Sequence, residues 1–229
     1  MKSESRQLTW AWLVAAILFF ALGTQSALAA IGSIIGSKHD FSANGGSPFA
    51  GTSIQVCVYC HAPHAATTST PLWNHTSSAA SYTMYTSPTL NATVGSAPGN
   101  VSKLCLSCHD GTVAIDSFGA VGNATSLNKF GPTSPQNIGT NLTNDHPIGF
   151  AYDATLVAAD PGLRDPATTS VTIGTGNTGT IATKMLIAGQ VECASCHDVH
   201  NSTSGTAVQA KLLRITSDGS AICITCHKK

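Results

Sequence analysis

Apolar positions are unevenly spread along this chain. Leu13 to Leu22 form an unbroken apolar run, preceded by Lys2 and Arg6 and followed by Ala27-Leu28-Ala29. A positive start, an apolar stretch and a small-residue cleavage site read as a secretory signal peptide over residues 1–29. The run is short for a membrane span, and no later stretch is apolar or long enough to be one. The expectation is therefore a secreted protein, periplasmic or extracellular at the cell surface, with no stable membrane span after cleavage. About 200 residues past the leader fit one domain or two small ones, and the expectation is one, over residues 30–229.

Beyond the leader the patterning predicts little regular structure. Residues 65–102 are rich in Ser, Thr, Ala and Asn with scattered prolines and read as loop. Residues 152–160, YDATLVAAD, form a helix candidate that Asp153 can cap and Pro161-Gly162 stops. Residues 170–183 alternate β-branched positions around glycines and read as a small hairpin. Residues 210–216, AKLLRIT, fit a short strand or a helix equally. Large apolar side chains are thin, so side-chain burial alone would struggle to offset the ordering entropy of such a chain. Something else should supply the core.

The cysteines name that something. All eight lie in one frame: Cys57-Val-Tyr-Cys60-His61, Cys105-Leu-Ser-Cys108-His109, Cys193-Ala-Ser-Cys196-His197 and Cys223-Ile-Thr-Cys226-His227. C-x-x-C-H is the c-type haem attachment signal. On a short helical turn the two sulfurs reach the vinyl groups along one haem edge, and the adjacent histidine binds iron from the proximal side. Disulfides or paired zinc sites could use the cysteines, but neither needs a histidine after every pair. A thioredoxin-like site needs one C-x-x-C, not four. The expectation is four covalent haems c, with cysteines as attachment points and His61, His109, His197 and His227 as proximal iron ligands. The fold is then a loop-rich multihaem cytochrome c, with short helices at the motifs, a small hairpin and the haems as core. Without haem the chain should be largely unfolded. The motif starts are 48, 88 and 30 residues apart, so the motif repeats without a solenoid period.

Five histidines lie outside the motifs: His39, His64, His75, His146 and His200. They are the distal candidates for four irons, one of them spare. Met84 and Met185 are the only methionines past the leader, which leaves methionine ligation the lesser choice. His64, three residues after His61, cannot reach the far face of the same porphyrin and must serve a different haem or none. On a helical turn such i, i+3 side chains are about 5–6 Å apart at Cβ, so two irons held by one pair would be forced close. The same holds for His197 and His200.

Past the leader, nine Lys and Arg face ten Asp and Glu. That balance argues against nucleic acid as partner and shows no basic patch for a membrane surface. A haem enzyme needs an iron with an open position, whereas here every motif ends in histidine and the free histidines exceed the need. That favours an electron carrier. A soluble periplasmic shuttle is the other carrier reading, but such shuttles are lysine-rich and compact.

HDFS, CVYCHAPH, PLWNH, LCLSCHDGTVAIDSFG, NDHPIGF, VECASCHDVHN and ICITCH together resemble the secreted multihaem cytochromes c of metal-reducing and related bacteria. Among these it resembles the OmcE-type tetrahaem cytochromes, which polymerise into extracellular filaments. The resemblance implies bis-histidine haems, export beyond the outer membrane, and a homopolymer with a continuous chain of haems. It implies one distal histidine crossing a subunit boundary, a role for which His64 is the candidate. The partners would be other redox proteins or extracellular acceptors.

Overall fold

The structure, a computed structural model, describes residues 34–49, 51, 53–64, 66, 71–119, 128–174, 176–200 and 210–228. The chain divides into two units, Met1–Ile31 and Gly32–Lys229, and every described residue belongs to the second. The signal-peptide reading lies outside the described residues. Among these, no helix is long and apolar enough to cross a membrane.

Helices are short and strands shorter. In chain order they are a 3-10 turn at Cys57–Tyr59, α1 at Asn100–His109, β1 at Phe150–Ala151 and α2 at Ala154–Ala159. Then come β2 at Ser170–Ile173, β3 at Asn177–Thr180, α3 at Ile181–Lys184, β4 at Gln190–Val191 and α4 at Cys193–Cys196. Two 3-10 turns, Ala210–Leu212 and Asp218–Ser220, precede α5 at Ala221–Cys226. Each C-x-x-C pair lies on a turn of helix, as its spacing predicts.

Local chemistry explains the elements that the patterning found. The Asp153 carboxylate accepts the Thr155 and Leu156 amides and starts α2, which ends at Asp160 before Pro161. β2 and β3 pair antiparallel from Ser170↔Thr180 to Ile173↔Asn177, around a turn where Gly174 and Gly176 take positive φ. The hairpin stops earlier than its alternation suggests. Residues 181–184 are helical because Thr180 and Thr183 form a capping box there. The predicted loop also runs too far, since α1 already covers residues 100–102. Residues 210–216 are a 3-10 turn followed by a single bridge at Leu213.

An apolar cluster does form. Phe150, Tyr152, Leu156, Leu163, Val171, Ile173, Ile181, Met185 and Val191 bury one another within residues 150–191. Met185, at 2% exposure, belongs to this core and is closed to a haem face. β1 and β4 pair at its edge, Phe150 to Val191 and Ala151 to Gln190, which brings the segment after His146 beside the third motif. Burial elsewhere is largely polar: Ser37, Asp40, Ser42, Ser47, Ser102, Ser107, Asp110 and Ser117 are all buried.

Candidate haem-attachment site

All eight cysteines are free thiols, so the disulfide framework is not the arrangement found. Cys60 electrostatically disfavours ionisation of Cys108, and Cys196 is coupled in the same way to Cys223 and Cys226. Cys105 shares a hydrogen bond with Cys193, which raises the first thiol and lowers the second. Burial pushes Cys60 up to about 11 and Cys108 up to about 12. The second and third motifs adjoin, since the Cys193 amide donates to the Ser102 hydroxyl of α1.

Three of the four motifs are gripped by the same four-residue strap. At the first motif, Pro71 oxygen lies 2.7 Å from His61 Nδ1, and Leu72 oxygen accepts the Ala62 amide. Trp73 bridges His61, and Asn74 returns its amide to Cys60 oxygen and its side-chain amide to Val58 oxygen. At the third motif the strap is Lys211 to Arg214. Lys211 oxygen lies 2.8 Å from His197 Nδ1, Leu212 oxygen accepts the Asp198 amide, and Leu213 bridges His197. Arg214 gives its amide to Cys196 oxygen and its Nε to Ala194 oxygen at 2.7 Å.

The fourth motif repeats the pattern with Pro161 to Arg164. Gly162 oxygen accepts the Lys228 amide, Leu163 bridges His227, and Arg164 donates its amide to Cys226 oxygen and its Nε to Ile224 oxygen at 2.9 Å. In each case the last strap residue satisfies carbonyls that the short helical turn leaves open. Leu72 and Leu212 adopt left-handed backbone, φ 61 and 53, to turn their carbonyls inward. The second motif differs: its His109 Nδ1 lies 2.8 Å from Gln136 oxygen, and Ile138 donates to His109 oxygen.

Sequence reasoning missed these straps. PLWN, PGLR and KLLR share no residue at all four positions, and Arg164 and Arg214 are the only arginines past residue 6. It also missed Glu192. This buried carboxylate accepts the backbone amide and hydroxyl of Ser102 in the first turn of α1, and the same hydroxyl takes the Cys193 amide at 3.0 Å. Glu192 thus caps the second motif's helix while it begins the third's. A Cβ on Gly99, the residue before α1, would meet the Glu192 carboxylate, so a larger residue there would have to displace the cap.

Two further carboxylates hold the histidine-bearing loops. Burial opposes ionisation of Asp40, but hydrogen bonds from Ser42 and the Gly36 amide outweigh it and keep the carboxyl low, fixing the turn that carries His39. Asp110 is likewise held low against burial by Ser78, Tyr82 and Thr112, and Tyr82 is pushed up to about 12.

The nine histidines sort by exposure. His64, His146, His197, His200 and His227 are exposed, and His39, His61 and His109 are half-buried. His75 alone is buried, at 3%. Burial, then the nearby His109 and His197, lowers His39 to about 4, so its ring is neutral, and its Nδ1 is buried without a hydrogen-bond partner. Three pairs of imidazole rings face each other: His39 with His109, His61 with His200, and His146 with His227. No ring contact joins His64 to another histidine among the described residues. The H-x-x-H segments are not helical turns. His61 sits in a bridge to Trp73, and His197 is extended (φ −108, ψ 137), so their i+3 partners are not set by helix geometry.

This arrangement fits haem c. Sulfur pairs lie on short turns beside a histidine whose Nδ1 is turned to a backbone carbonyl at three motifs, which leaves Nε2 for iron, the usual orientation of a metal-binding imidazole. Among the described residues, no group of three or more His, Cys, Asp or Glu could hold a bare metal ion.

The comparisons agree at this coarse level. Residues 186–229, which contain the third and fourth motifs, match the doubled CXXCH motif family. Among curated proteins, none matches the chain. The match supports a multihaem c-type cytochrome that binds haem c covalently and carries electrons.

Proposed function

We propose that this chain carries four covalent haems c, transfers electrons between them, and assembles as the subunit of an extracellular cytochrome filament. Once attached, haem c supplies a one-electron iron(III)/iron(II) couple. The chain contributes its eight cysteines as anchors, its histidines as axial ligands, and carbonyl straps that hold the proximal rings in one tautomer. The observation that carries the reading is the way the second and third motifs are locked together, with Ser102 of α1 donating to Glu192 and accepting the Cys193 amide. Haems held on motifs packed against one another would exchange electrons between their edges. Two imidazoles per iron keep the potentials low and leave no position open for a substrate.

The filament part rests on the family resemblance, on the low charge of the polar loops, and on His64. This histidine is exposed and has no histidine ring against it among the described residues. A ligand offered outward lets each added copy complete an iron in its neighbour, a head-to-tail contact that propagates instead of closing. Export past the outer membrane, and redox proteins or extracellular acceptors as partners, belong to the same proposal.

The test is His64→Ala, expressed with cytochrome c maturation. Loss of filaments, with soluble subunits each showing one high-spin haem, is expected. Normal filaments with every haem low-spin would overturn the filament role.

A further inference from the structure

The three facing ring pairs share a pattern. Each joins one motif histidine to one histidine outside the motifs, never two of a kind. The ring centres are 6.0 Å apart for His39 and His109, 6.1 Å for His61 and His200, and 6.4 Å for His146 and His227. An imidazole nitrogen binds a metal at about 2.0–2.1 Å, and a five-membered ring with bonds of ~1.33 Å has its centre about 1.1 Å from each atom. Two imidazoles on opposite sides of one iron therefore stand about 6.4 Å apart. Distance alone would not select these pairs, since His61 and Trp73 are 6.3 Å apart. The matching of distal to proximal type does.

His75 stands apart. Its Nδ1 lies 2.8 Å from Thr76 oxygen, its Nε2 lies 2.9 Å from Ala114 oxygen, and its ring is buried. The same Nε2 lies 3.5 Å from the Cys108 sulfur, but a ligand must offer Nε2 to iron, and this one is held by the Ala114 carbonyl. The other eight described histidines each keep part of their surface open.

We infer that His39 and His109 bracket one iron, His61 and His200 a second, and His146 and His227 a third, while His75 is the spare, a structural histidine that ligates none. The count leaves His64 for the iron of His197. The inference rests on the haem reading above and deepens it. It makes the ligand sets span the sequence: the third motif's tail caps the first motif's haem, and the loop after residue 140 caps the last.

The ring planes give a spectroscopic signature. They are inclined by 20° for His61 and His200, 48° for His39 and His109, and 70° for His146 and His227. Near-parallel imidazoles on low-spin iron(III) give a rhombic electron paramagnetic resonance signal, and steeply crossed ones give a single strongly anisotropic feature. In the matured protein, His200→Met should remove a rhombic component and His146→Met the anisotropic one. His75→Gln, which still offers an amide donor, should leave every haem low-spin. His39→Ala should create one high-spin haem, and none when Cys105→Ala and Cys108→Ala have removed the second haem.

If the doubly substituted protein does not accumulate, the two methionine variants decide alone. A high-spin haem in His75→Gln, or exchange of the two signals between His200→Met and His146→Met, would overturn the pairing while four haems by mass leave the function intact. A matured protein without haem would overturn both.

Discussion

Glu192 is one side chain on which two motifs depend. It is 4% exposed, and it meets Ser102, fully buried, across ninety residues of chain. Glu192→Ala should leave the Ser102 amide and hydroxyl without an acceptor and cost about 1–3 kcal/mol, as for other buried hydrogen-bond partners. Thermal unfolding of the matured protein measures this, and Glu192→Gln should recover part of the loss. The cysteines and proximal histidines were legible because attachment needs a contiguous five-residue frame. Glu192 was not, since a cap supplied from ninety residues away leaves no local pattern. The distal set was legible only as a list of five. What separates His75 from the rest is burial between Thr76 and Ala114, and burial is a property of the folded chain.

Among the elements, local chemistry again marks what could be read. Helix α2 was visible because Asp153 caps it from within, and Asp153→Ala should destabilise the matured protein by about 1 kcal/mol in chemical denaturation. The first residues of helix α1, 100–102, were hidden inside a predicted loop because this turn has no side-chain cap of its own and borrows Glu192. The straps were hidden because they work through backbone carbonyls, which any residue supplies. Their one chemical demand is a side-chain N–H at the fourth position, filled by Asn74, Arg164 and Arg214. Lysine keeps the charge of arginine but not its fixed planar fork. Arg214→Lys should therefore destabilise the matured protein by about 1 kcal/mol, the worth of one ordinary hydrogen bond, and lower its midpoint of unfolding accordingly. An unchanged midpoint would show the third strap to be held by backbone bonds alone.

Over the whole molecule, the thin apolar composition is only part of the picture. Residues 150–191 gather nine buried apolar residues into a core of their own, whereas the N-terminal segment buries mainly serines and aspartates. Haem-free chain should therefore lose hydrogen-exchange protection unevenly. The segment before residue 142 should exchange at nearly unfolded rates, while residues 150–191 retain some protection. Uniform protection across both would mean that the polypeptide, not the cofactor, holds the first half together. The central claim beneath all of this is covalent haem at every C-x-x-C-H frame, and intact mass of the protein after cytochrome c maturation tests it most directly. The mass should exceed the polypeptide by four haem groups, falling to three when Cys105 and Cys108 are replaced by alanine. A folded, secreted protein with the mass of the bare polypeptide would contradict the account.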